Sequence, residues 1–403
     1  MNGRSYSEET PGFLRAIRFQ GRSRELSFQQ PTRRVYYGGF DPGSGFAELW
    51  VAPADNPQYM RHAVIPSWVA SGALVDIARR SRTIGSNPMD ELERDEFVIQ
   101  LDSMERYVGR LAQTSGTNGT NAFNDPRRYT NEHAQMLLLA MAGLLIPEDQ
   151  FCLKYVTALP VSLYDDQRRV LIQDTFTRNF TYFWNGRHKT ADLVVGAVVP
   201  EGTGALVLYG DTTSRTLVVD YGYRTTDVLC AVGQKIDFDR SGGIQIGVGQ
   251  IIDAFNDEFC KVAGRRLRED EAEPILRAYV HEKALPVVKS SRRVVDENAM
   301  RAALYKVYTT IGMQANTKIA GIVNEDEGGQ MAADYDLVIP IGGGAYHFRK
   351  MLETMIPNVE YVEEPQSANP EGYMEIAMGF SNAVWTKVLN DVTRRTGRVH
   401  NAW

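Results

Sequence analysis

Two aspartates stand at the ends of β-rich runs with a glycine two positions on. One is Asp41-Pro42-Gly43-Ser44-Gly45; the other is Asp220-Tyr221-Gly222, continued by Tyr223-Arg224-Thr225-Thr226. Such a turn has a definite chemical use. Glycine lets backbone N–H groups approach a phosphate closely. The aspartate would repel that phosphate, so it makes sense only with a cation between them. Magnesium keeps most of its waters, and carboxylates hold it through them beside substrate phosphates. Two such turns facing each other would clamp the phosphate tail of a nucleotide. A third run, Gly342-Gly343-Gly344-Ala345, follows the β-rich stretch 335–340. Taken singly, each motif is equally an ordinary tight turn or the start of a helix. Their order and spacing carry the information. No G-x-x-x-x-G-K-[ST] occurs, which excludes a P-loop.

The elements that must position these residues can be read from residue pattern. Val35-Tyr36-Tyr37 predicts a strand running into a glycine turn from Gly38, and 46–51 predicts the strand that returns, making a hairpin. Strands are also expected at 96–101, 153–160, 191–199, 214–219 and 335–340. Residues 113–126 read as a polar Thr/Asn/Gly loop. Asn131 should cap an apolar helix through Leu145, a stretch too short to span a bilayer. In 250–262 the apolar positions Ile251, Ile252, Phe255, Phe259 and Val262 share one helical face, and Gly264 should end that helix. A second amphipathic helix is expected over 296–313, and Asp165-Asp166 reads as a helix start.

With 403 residues, the chain suits two domains rather than one core. The 43% hydrophobic and 23% charged shares are those of a globular protein, and a net charge of −6 argues against direct nucleic-acid binding. Cys152, Cys230 and Cys260 have no paired spacing and read as buried free thiols. No signal-peptide pattern is visible, so a cytoplasmic location is expected. The first residues, 1–34, are rich in arginine and read as a flexible extension; residues 13–19 could form a short amphipathic helix for membrane contact.

In this order the motifs resemble the actin-like ATPases of the ParM and archaeal actin type, the plasmid-segregation actins, over residues 35–390. The Asp41 turn matches the first phosphate loop and Asp220 to Asp227 the second, usually D-x-G-x-x-T-T-D. Residues 157–162 resemble the segment that closes the first sheet, and 341–345 the adenosine loop. Ser367-Ala368-Asn369-Pro370-Glu371-Gly372-Tyr373 is similar to the A-N-x-x-G-Y start of the C-terminal helix.

The resemblance implies an α/β, actin-like ATPase fold of duplicated, ribonuclease H-like domains with nucleotide in the cleft. Domain I would be 35–205 with a returning C-terminal helix, 368–403; domain II would be 206–367. ATP or ADP would be bound by Asp41, Gly43, Ser44, Gly45, Asp220, Gly222, Tyr223, Arg224, Thr225, Thr226, Gly342, Gly343, Gly344 and Ala345. Asp41 and Asp220 would hold Mg through water, and Glu201 would orient the attacking water. Implied too are ATP hydrolysis, assembly with copies of itself into filaments, and a DNA-binding adaptor as partner. The same superfold includes small-molecule kinases and the membrane-associated cell-shape filaments of the MreB type. One position departs from the pattern: Glu48 stands where the family has a lysine for the β-phosphate. Replacing it, Glu48→Lys, is expected to tighten ATP binding, as measured by titrating the purified protein with nucleotide.

Overall fold

β-branched and aromatic residues crowd the runs that lead into the glycine turns, and those runs form the strands of two sheets. The computed structural model describes residues 33–80, 92–115, 117–121, 129–267, 269–290, 293–323, 332, 334–355 and 358–398. Nearly all of the 1–34 extension, with the amphipathic stretch 13–19, lies outside the described residues.

The large sheet contains β1 (Arg34–Asp41), β2 (Phe46–Pro53), β3 (Arg61–Pro66), β4 (Trp68–Ser71), β5 (Glu96–Leu101), β6 (Met104–Gly109), β7 (Thr117–Asn121), β8 (Gln150–Leu159), β9 (Arg178–Trp184) and β10 (Arg187–Pro200). These ten strands lie in the order β3-β2-β1-β8-β10-β9-β5-β6-β4-β7. At its centre β1, β8 and β10 run parallel. Their register pairs Phe40 with Thr157 and Leu159 with Pro200, so Asp41, Pro160 and Glu201 emerge together at the carboxyl ends. Both faces of this centre are covered, and β8 is buried at every position after Gln150. Side chains alternate across it. Phe151, Leu153, Tyr155 and Leu159 share a core with the helix Glu132–Leu145, whereas Cys152, Val156 and Ala158 share another with Tyr373, Ala377 and Trp385.

The small sheet contains β11 (Arg215–Tyr221), β12 (Thr226–Val232) and β13 (Lys235–Ile244), and a separate hairpin is made by β14 (Lys289–Ser290) and β15 (Arg293–Val294). β16 (Leu337–Ile341) completes the small sheet in the order β13-β12-β11-β16. β11 and β16 are parallel, with Asp220 opposite Ile341. That register sets the third glycine run beside the second aspartate. The long helices Val248–Ala263 and Glu297–Ile322 pack over this sheet around Phe255, Phe259, Leu304 and Ile319.

Several helix ends follow the sequence. Asn131 accepts from the N–H groups of His133 and Ala134, Asp165 from Arg168, and Asp296 from Ala299. Gly264 ends its helix in the left-handed region, with φ 70°. Cys152 and Cys230 are buried and Cys260 is half-buried; all three are free thiols.

Other readings need correction. The loop expected over 113–126 is partly regular, since Arg110–Ser115 is helical and Thr117–Asn121 is β7. β7 pairs with β4, and backbone pairing of that kind needs no apolar alternation. The returning helix is two helices, Ala368–Gly379 and Asn382–Thr396. The chain breaks at Phe380 so that Phe380 and Trp385, packed edge to face, can lie over Gly196 of β10.

The turn expected from Gly38 begins later, because β1 continues through Asp41. Gly38 and Gly39 are there for packing. A Cβ on Gly39 would lie 1.8 Å from the carbonyl oxygen of Pro370 and 2.5 Å from the nitrogen of Met374. The strand therefore touches the backbone of the helix Ala368–Gly379 directly. Gly39→Ala must push strand and helix apart, and is expected to cost about 3 kcal/mol or more, measured as a lowered midpoint in urea unfolding.

Candidate nucleotide site

Asp41 closes β1, and the turn Pro42–Gly45 is held by a serine far from it in sequence. Ser67 accounts for two carbonyls of that turn: its hydroxyl donates to Gly43 at 2.7 Å and its N–H to Gly45 at 3.0 Å. On the second turn, the Gly222 N–H donates to Thr225 at 2.9 Å. The carbonyls of Gly222 and Tyr223 accept from the N–H groups of Val248 and Gly249, at the start of the helix Val248–Ala263. Thr226 lies buried in β12 and gives its hydroxyl to Ile246, so its side chain faces the core rather than the turn. The two turns touch, since a Cβ on Gly45 would lie 3.1 Å from the Cβ of Tyr223.

The third run joins the second turn. Gly342 takes φ 81°, open to glycine, and a Cβ there would lie 2.3 Å from an Asp220 carboxylate oxygen. The Gly344 N–H donates to the Tyr221 carbonyl at 2.7 Å, and the helix Ala345–Met355 starts from there. Thus Asp41, Gly43, Ser44, Gly45, Asp220, Gly222, Tyr223 and Gly342 come together at one place. Arg224 and Thr225 are half-buried in the second turn, and Gly343 is open beside Gln366.

Asn369 ties the two sheets at this point. Its carbonyl oxygen accepts from the Gly202 N–H at 3.1 Å, and its amide donates to Asp220 at 2.6 Å. Nearby, Asp227 accepts from the Val161 N–H at 2.8 Å, and Tyr164 stacks on Phe238 with centroids 5.7 Å apart. Gly202 has φ 91°, and the Glu201 N–H donates to Leu159, which fixes Glu201 at the carboxyl end of β10.

Four carboxylates converge here. Asp220 keeps a little surface open, yet lies deep enough that burial is the first cause raising its carboxyl well above the ordinary value. The charges of Asp41, Asp227 and Glu48 add to this, and the Asn369 amide opposes it. Glu48 lies opposite Asp41 in the β1–β2 ladder and accepts from the Ser367 hydroxyl at 3.0 Å. Burial first, and then Asp41, push its carboxyl up to about 8.

Comparison with known proteins bears on the fold. Residues 40–204 match the family model described as the actin-like proteins N-terminal domain. The chain has the actin-like fold. Its fold is shared with an archaeal actin homologue, Ta0583, at TM-score 0.64 and 20% identity over 85% of this chain and 99% of that one. A 15-stranded ParM filament from Clostridium botulinum matches at TM-score 0.64 and 20% identity, covering 86% of this chain and 100% of that one. Ta0583 in complex with ADP matches at TM-score 0.62 and 20% identity, over 85% and 99% of the two chains. No curated protein is matched by sequence.

In this actin-like chain, sequence reasoning missed Ser67, Ser367 and the bridging role of Asn369. Nothing in the sequence near Ser67 links it to a turn more than twenty positions earlier. Glu48 also differs from a surface-facing charge, being only 4% exposed. An unfolded glutamate gives up its proton near pH 4.5, whereas folded Glu48 keeps it to about pH 8. The stability it contributes is therefore full below about pH 4.5 and is lost as pH rises through 8. Wild type should lose stability relative to Glu48→Gln from about pH 5 to 8, by up to roughly 1.4 kcal/mol per pH unit, measured by urea unfolding across that range.

Proposed function

We propose that this chain binds ATP between its two sheets, hydrolyses it, and assembles with copies of itself into filaments whose stability depends on the bound nucleotide. The convergence of two Asp-x-Gly turns and a glycine run on a single cluster of carboxylates carries this reading. Carboxyl groups crowded together, their values raised by burial and by one another, suit a positive charge lying among them, which would favour their ionised form. Among the described residues, no three His, Cys, Asp or Glu side chains are placed to ligate a metal directly. That donor set suits magnesium held through its waters by Asp41 and Asp220. Bound there, the ion would neutralise charge on the phosphate oxygens.

The chain's own residues divide the remaining work. Backbone groups of Gly43 to Gly45 and of Gly222 to Thr225 face the phosphate tail, and the run Gly342 to Ala345 faces the nucleoside. Glu201, fixed at the end of β10, orients the water that attacks the terminal phosphorus and takes its proton. We read residues 35–205 with the two C-terminal helices as one domain and 206–367 as the other, hinged where Asn369 crosses between the sheets. The relatives support the reading: Ta0583 has been solved with ADP, and the Clostridium botulinum ParM as a filament. By analogy the filament serves DNA or plasmid segregation in the cytoplasm. The net charge of −6 assigns contact with DNA to an adaptor. No helix among the described residues is long and apolar enough to cross a membrane.

Purified protein given Mg·ATP should scatter light, pellet, and release phosphate. Glu201→Ala should slow phosphate release about a hundredfold while leaving assembly intact. Phosphate passed to an added sugar or carboxylate, with no assembly, would overturn the reading in favour of a small-molecule kinase.

A further inference from the structure

Three tyrosine hydroxyls, on Tyr155, Tyr221 and Tyr373, are buried and have no hydrogen-bond partner among the described residues. A buried hydroxyl left unmatched is destabilising, and phenylalanine would fill the same space without that cost. The three differ in what they face. Burial alone acts on Tyr155, and burial with Tyr361 acts on Tyr221. Burial first, and then the nearby charges of Asp41, Glu201, Asp220 and Asp227, raise the Tyr373 hydroxyl well above its ordinary value.

Its place in the fold explains this. Tyr373 follows Asn369 by four positions on the helix Ala368–Gly379, so the two share a face. Side chains on a helix lean toward its N-terminus, so the Tyr373 ring leans toward the turn from which Asn369 reaches Gly202 and Asp220. The ring packs with Val156 and Ala158 near the carboxyl end of β8. The same helix touches β1 through Gly39, two residues before Asp41. The ring thereby lies near the carboxyl ends of the parallel strands, the end at which Glu201 also stands.

We propose that Tyr373 is a positioning residue for hydrolysis, its hydroxyl holding, together with Glu201, the water that attacks the terminal phosphate. This rests on the ATPase reading above. The phenol is a donor, since burial keeps its proton in place far above neutral pH. Donating to one lone pair of the water, while Glu201 accepts one of its protons, leaves the other lone pair aimed at phosphorus. As the water oxygen bonds to phosphorus, the bond to the bridging oxygen breaks and its electron pair leaves with ADP. Glu201 takes the proton, and Tyr373 keeps its own.

The test is Tyr373→Phe, which preserves the ring and its packing. Phosphate release should fall about tenfold, the scale of one hydrogen bond to a reacting group, with the KM for ATP unchanged. The melting temperature of the nucleotide-free variant should hold or rise, and Mg·ADP should raise it as in wild type. Combined with Glu201→Gln, the variant should be no slower than Glu201→Gln alone, because both act on one water. A wild-type rate of phosphate release in Tyr373→Phe, or full additivity in the double variant, would overturn the inference while leaving the ATPase reading intact. Wild-type protein that releases no phosphate would overturn both.

Discussion

The Asn369 side chain spans the two sheets, accepting from Gly202 at the end of the large one and donating to Asp220 of the small one. An amide does both from two separate atoms, its carbonyl oxygen accepting and its NH2 donating. An aspartate in its place would accept twice and add a charge to a cluster already crowded with carboxylates. A leucine would leave the Gly202 N–H unmatched in a buried setting. The reach of that amide is short, so the elements on either side must come very close. The glycines around it serve this approach. A Cβ on Gly204 would lie 2.2 Å from the Asn369 carbonyl, and one on Gly372 would lie 2.1 Å from the Gly204 carbonyl. With Gly39 against Pro370, these glycines let three elements meet backbone to backbone around a single bridging side chain.

What this arrangement gathers is negative charge. Asp41, Glu48, Asp220 and Asp227 come from four different strands, and strand register sets each of them in place. Their mutual repulsion is tolerated because the strands are paired along their whole length and cannot separate locally. A site of this kind is preorganised: its charges are in place before any positive charge enters. Glu48 moderates the field, since a carboxyl that holds its proton to about pH 8 contributes little negative charge at neutral pH. It stands there largely as a neutral group bonded to Ser367.

Much of this was legible in the sequence, and the part that was not has a common cause. The hairpin around Asp41, the helix ends at Asn131 and Gly264, and the strands leading into Asp220 and Gly342 all depend on residues close in sequence. Local rules suffice for them. Gly38 and Gly39 read as a turn because glycine pairs usually mark one. Their true constraint is Leu153, Trp50 and Pro370, the last of them far along the chain. Ser67 and Ser367 were invisible for the same reason, being ordinary serines until the fold brings them to the Gly43 carbonyl and to Glu48. The returning helix read as continuous because a lone glycine, Gly379 just before the break at Phe380, is also tolerated within a helix. The break answers instead to a space over Gly196 that only large aromatic rings fill.

The glycine crossing of Gly204, Gly372 and Gly39 has a mechanical consequence. Where side chains separate two elements, they can shift rotamers and absorb small displacements like a cushion. Where backbone lies on backbone, nothing yields, and relative motion about that point is confined to rotation. The crossing is a fulcrum. The turns after Asp41 and Asp220 lie close to it, on a short arm, whereas β7, at the far edge of the large sheet from β1, lies on a long one. A rotation that moves the turns by a fraction of an ångström would therefore carry that edge much farther.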